Sequence, residues 1–184
     1  LYLCHKKPII MNSIRLFISV ITISGLFSAC NETSTQSETT KTDSIAVPLV
    51  PVEIKDSVSA QVYNHYIQLK DVLVASDPTK AKTVASELAI ALRKVKGSEN
   101  TAVLADKIAA SADLAEQRVS FTALSNDVIT LFKQSEISSG SIYVQYCPMA
   151  NEGEGGYWLS SQEEIMNPYY GDEMLHCGEV KETI

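Results

Sequence analysis

From residue 58 onward the apolar positions recur every three to four residues. Val58, Val62, Tyr66, Leu69 and Leu73 mark one face and predict an amphipathic helix over about 57–75. Ser76-Asp77-Pro78 ends it and opens a second. Asp77 can accept from the free amides of a first turn, and Pro78 suits the first helical position, where no N–H is needed. Ala81, Val84, Ala85, Leu88, Ala91, Leu92 and Val95 carry a regular stripe to Gly97. Asn100 is placed to cap a third helix holding Val103, Leu104, Ile108 and Ala112. Asp113 followed by Glu116 fits a capping box for a fourth, with Phe121, Leu124, Val128, Leu131 and Phe132 inward and an end near Gln134. Short joints between similar helices predict an antiparallel four-helix bundle, whose many alanines allow close approach.

The period changes after Ser138-Ser139-Gly140-Ser141. Ile142 to Cys147 is β-branched and aromatic and reads as a strand. Pro148 holds Cys147 extended. Asn151 to Gly156 reads as a Gly-rich loop, Tyr157 to Ser160 as a returning strand, and Met174 to Val180 as a third. The expected fold is therefore mainly α within an α+β class, with a small C-terminal β-ribbon packed on the helices.

The N-terminal pattern is different again. Residues 1–10 precede the first Met and read as upstream of the start. From Met11 a short basic stretch with Arg15 leads into an apolar run, then small residues before Cys30. The run is shorter than the roughly 20 residues of a membrane-spanning helix. Ser28-Ala29-Cys30 resembles a bacterial lipoprotein box, with Cys30 as the lipidated residue. An ordinary signal peptide cut nearby, or a retained anchor, is the alternative. Residues 30–57 are rich in Thr, Ser and Glu and read as a disordered tether. The expected organisation is residues 1–29 as leader, 30–57 as tether and 58–184 as the folded domain. It would face the periplasm, lipid-anchored at the membrane of the cell envelope.

Charge narrows the partners. The chain carries 15 basic and 22 acidic residues, a net charge of −7. All charge before Cys30 is basic, so the remainder is more acidic still. Nucleic acid, whose binding relies on Lys and Arg against phosphate, is excluded as the expected partner. No P-loop, GxGxxG or nucleophile-elbow pattern is present.

Chemistry concentrates between Cys147 and Cys177. This stretch holds the two cysteines beyond Cys30, three of the four methionines and the sole tryptophan. Two readings stand side by side. In an exported protein the pair can form a disulfide, closing a loop of about 30 residues and contributing about 3–4 kcal/mol. The other reading is a soft-metal site. Cys147 and Met149 share one face of an extended chain, Met174 and Cys177 supply a second sulfur pair, and thiolate with thioether selects Cu(I) over hard cations. His65, at the border of the first helix's apolar face, is either a locally bonded histidine or an imidazole ligand. Trp158, Tyr169 and Tyr170 read as packing around the site. An enzyme is not expected. Cys147 with His65 or His176 lacks a signature for an oxyanion hole, and a thiol-disulfide catalyst is expected to use C-x-x-C, which is absent.

HYIQLKDVLVASD (65–77), EQRVSFTALS (116–125), YVQYCPMA, YWLS, NPYYG and ML-x-CG together resemble a bacterial domain family of unknown function. The resemblance spans about Val58 to Val180. Members are exported proteins or lipoproteins of Gram-negative bacteria, and the same domain ends periplasmic adaptor proteins of copper/silver-type efflux systems. The resemblance implies a helical domain with a small β C-terminus and a link to heavy-metal handling. It carries over His65, Cys147, Met149, Met174 and Cys177 as candidate ligands, and a heavy-metal efflux system as a candidate partner. His176 stands where a small polar residue is expected. The chain lacks the adaptors' long hairpin and barrel domains, so it reads as a stand-alone module. The expected function is Cu(I) handling or resistance. Its alternative is a disulfide-stapled, non-catalytic interaction module of the cell envelope.

Overall fold

The structure, a computed structural model, describes residues 50–184. The leader, Cys30 and most of the tether lie outside the described residues. The element order is β1 (Glu53–Ile54), α1 (Ser57–Val74), α2 (Pro78–Leu92), α3 (Glu99–Ala110), α4 (Leu114–Lys133), β2 (Ile137–Ser139), β3 (Tyr143–Cys147), β4 (Gly156–Ser160) and β5 (Glu179–Thr183). This is a mixed α+β fold of four helices and two small antiparallel sheets, β1-β2 and β4-β3-β5.

The helix starts follow local chemistry. Asp56 and Asp77 accept from the amides of Ser59 and Lys80 at 2.7 and 2.9 Å, and Pro78 occupies the first turn of α2. Asp113 accepts from both Ala115 and Glu116. The second half of the expected capping box is rerouted. The Asp113 amide donates to the Ser111 hydroxyl at 3.0 Å, which in turn donates to Glu116 Oε2 at 2.7 Å. The third helix begins at Glu99, behind Ser98, so Asn100 lies inside it.

Packing runs sequentially, α1 on α2, α2 on α3, α3 on α4, and α4 then lies on β4. Small side chains let α2 and α3 approach: Ala81, Ala85, Ala89, Ala102 and Ala105 are all buried. Across α1 and α4 the contact is aromatic instead. Tyr63 meets Phe132 edge-on at 5.4 Å between ring centroids, and Tyr66 stacks on Phe121 at 5.5 Å. Trp158, Leu159 and Val144 extend this core into the sheet.

Two expectations are corrected. Ordered structure begins before residue 58: Glu53 and Ile54 pair with Ser139 and Ile137, and the Lys55 amide donates to Glu136 O. Gly140, at φ +77°, permits this, because a Cβ there would lie 2.7 Å from Pro51 O. The third strand of the main sheet is β5, not 174–180. Val180 and Glu179 take the places opposite Gln145 and Tyr146. Residues 174–177 are held in a turn, with Cys177 N–H donating to Met174 O and Asn167 N–H to Leu175 O.

Candidate functional site

Cys147 ends β3 fully buried, and Cys177 lies partly exposed in the turn before β5. No bond joins the two sulfurs in the structure, and they lie 2.8 Å apart, inside ordinary sulfur–sulfur contact. Antiparallel pairing of β3 with β5 brings residues thirty apart in sequence to the same end of the sheet. The Cys177 thiol is pushed above its usual value, first by its hydrogen bond to Cys147, then by burial and the charge of Cys147. The Met149 amide, facing the Cys177 sulfur, acts in the opposite sense.

The turn carrying Cys177 is fixed by Asn167, which is fully buried with all its polar groups bonded. Its Nδ2 donates to Cys177 O at 2.8 Å, and its Oδ1 accepts from the Tyr169 amide at 2.8 Å. Its backbone N–H reaches Leu175 O, and its carbonyl accepts from Gly171. Gln145, buried on β3, donates to the carbonyls of Gln162, Glu163 and Glu164 and so holds the start of the same loop. Arg118 on α4 holds its middle. It donates to Pro168 O at 2.9 Å, Leu73 O at 3.1 Å and Ser76 Oγ at 2.9 Å. The floor is aromatic, with Trp158 edge-on to Tyr169 at 6.0 Å and Tyr169 against Phe121 at 5.8 Å. Gly178 lets Trp158 pass, since a Cβ there would lie 2.9 Å from the indole.

The structure brings together only part of the predicted ligand set. Cys147 and Cys177 meet. Met149 follows Cys147 by two residues with its amide on the Cys177 sulfur, and Met174 lies one turn before Cys177. Both methionines are exposed, at 52% and 37%. His65 is not with them. It sits on α1 with Nδ1 3.6 Å from Glu87 Oε2 of α2. His176 Nδ1 lies 2.9 Å from Ile165 O. Among the described residues no three of His, Cys, Asp and Glu gather where they could hold a metal ion. The remaining donors, two thiols with thioethers alongside, are soft and suit a monovalent soft cation rather than Zn²⁺, which takes four N, S or O ligands. Trp158 and Tyr169 pack beneath the site, as their aromatic character predicts.

Asn167, Gln145 and Arg118 are the residues that sequence reasoning missed. The Asn167-Pro168 pair reads as a turn signal, but the two sequence-distant carbonyls and the Ser76 hydroxyl that Arg118 reaches leave no trace in local periodicity.

A domain of the family described as "Protein of unknown function (DUF3347)" is found at residues 62–140. The match takes in α1 from Val62 onward, then α2 to α4 and β2, and stops before Cys147. It names no activity and no ligand. No curated protein and no solved structure matches the chain.

Proposed function

We propose that the protein binds a soft heavy-metal ion, Cu(I), at the Cys147–Cys177 pair, for copper handling or resistance. The observation that carries this reading is the convergence of the two thiols to 2.8 Å with a methionine flanking each. Cys147 and Cys177 are the thiolate ligands, and Met149 and Met174 supply thioethers from the exposed side. His65 leaves the ligand set, since its imidazole is turned to Glu87. A bound soft cation would be held without redox change in the protein, and the reading is non-catalytic. The four sequentially packed helices form an antiparallel bundle that serves as the mount. The leader and Cys30 support a lipid-anchored, periplasm-facing location, and the motif resemblance supports a heavy-metal efflux system as partner.

Anaerobic titration of the reduced full chain with Cu(I) against a competing chelator tests this. Tight one-to-one binding is expected, with loss of about tenfold or more in Cys147→Ser and in Cys177→Ser. Binding left intact by both substitutions, or absent from the reduced protein, overturns it. The same sulfur contact favours a second reading, a disulfide-stapled interaction module. Under it the oxidised protein is markedly more heat-stable than the reduced one and binds no metal.

A further inference from the structure

The negative charge of this molecule is concentrated. Residues 50–146 carry ten basic and eleven acidic side chains, whereas residues 147–180 carry no Lys or Arg and seven acids. All seven, from Glu152 to Glu179, are exposed. A groove of about 320 Å³ lies beside the first turns of α4, between Glu152 and Glu173. Its apolar wall is Val119, 65% exposed, with Tyr169 and Tyr170. Arg118, the cation lining it, donates to the carbonyls of Pro168 and Leu73 and has Glu173 as its charged neighbour, so Glu152 is the acid of the groove with no such neighbour in its lining. The Tyr170 hydroxyl donates to Met149 O at 2.5 Å, and Met174 directly follows Glu173, so the backbones of both exposed methionines adjoin residues of the groove.

We infer that this face docks a basic protein segment, one that sets an apolar or thioether side chain on Val119 and Tyr170 and places Lys or Arg beside Glu152 and Glu173. Exposed apolar side chains inside a polar rim are the anatomy of a protein interface. A free cation would use the acids but has no use for Val119. A second copy of the chain is disfavoured, because pairing this face with itself sets like charges together. The inference does not depend on a bound metal.

The probe is a synthetic Lys-Leu-Lys-Met-Lys-Leu-Lys amide, titrated into the isotopically labelled full chain and followed by amide chemical shifts. Its Glu-for-Lys counterpart is the control. Shifts confined to Val119, Glu152, Tyr170, Glu173 and their neighbours are expected. Affinity should fall at least about fivefold between roughly 25 and 250 mM salt, as screening sets in. Glu152→Gln with Glu173→Gln should weaken it by a similar factor, and Val119→Ser should weaken it without altering the salt slope. Shifts spread over the acids of residues 50–146, or unchanged in these variants, overturn the inference. So do concentration-dependent shifts of the same amides without peptide, which would assign the face to a second copy. The Cys147→Ser/Cys177→Ser chain, which cannot hold a metal through thiolates, should dock equally. Loss of docking there would place recognition on the sulfurs and overturn the groove assignment.

Discussion

The hydroxyl of Tyr66 sits where three elements meet. It lies 2.8 Å from Ser125 Oγ on α4 and accepts from the Leu159 amide of β4 at 3.1 Å, all fully buried. Tyr66→Phe would keep the stacking on Phe121 and leave a hydroxyl and an amide without partners. Each unsatisfied buried group costs about 1–3 kcal/mol, so the urea midpoint should fall clearly with an unchanged slope. A midpoint equal to that of the parent protein would show that water reaches this junction. Asn167 is the corresponding residue for the thiol pair. Asn167→Ala removes the donor to Cys177 O and the acceptor for the Tyr169 amide, with an expected loss of about 2–4 kcal/mol. Asn167→Asp keeps that acceptor but sets a carboxylate against a carbonyl, so it should lie nearer to Ala than to the parent in thermal melts. Asp behaving as the parent would show that the Cys177 contact is dispensable.

Between elements, the linkage is through Arg118. It ties α4 to the end of α1 and to Pro168, and Gly171 fits against Ser76 and Val74 only because it lacks a Cβ. Arg118→Met should therefore free the loop of residues 161–178 before it affects the helices. Hydrogen exchange should quicken at the Gly171 and Cys177 amides by about tenfold or more, with the amides of α2 and α3 unchanged. Uniform acceleration would mean that the loop and helices open as one unit. This pattern also explains what the sequence could reveal. All four helices were legible, because Val58 to Leu73 and Ala81 to Leu92 repeat with helical period and Asp77, Pro78 and Asp113 mark the starts. Strands β3 and β4 were legible from β-branched and aromatic runs. Strand β5 was misplaced, since Met174 to Cys177 reads apolar and only Asn167 holds it in a turn. Strand β1 reads as tether in the sequence, because two paired residues carry no period. The meeting of Cys147 with Cys177 was open to inference from composition. The removal of His65 was not, since its orientation toward Glu87 depends on how α1 lies on α2.

At the scale of the whole molecule, three tyrosines tie the interior to pH. Burial raises the hydroxyls of Tyr63, Tyr66 and Tyr169 well above the ordinary value of 10.0. Their neutral forms are thus favoured in the folded state, while the unfolded chain would ionise them near pH 10. Above that value the unfolded state holds fewer protons than the native one, so stability falls as pH rises. The contribution of each is complete below about pH 10 and declines by up to about 1.4 kcal/mol per pH unit until its raised folded value is reached. The Cys177 thiol, also raised, adds a decline of the same sign that starts nearer the ordinary thiol value of 9.0 and exists only while it carries its proton. The reduced protein should therefore begin to lose thermal stability about one pH unit before a form whose sulfurs are blocked as a disulfide or by a metal, and both should then fall together above about pH 10. Melting temperature against pH, with tyrosinate absorbance recorded in parallel, separates the two phases. Tyr63, Tyr66 and Tyr169 should ionise only with unfolding. Ionisation of these three near pH 10 in a still-folded protein would mean that the aromatic seam between α1, α4 and the sheet admits water, and would remove the rigid mount on which the thiol site rests.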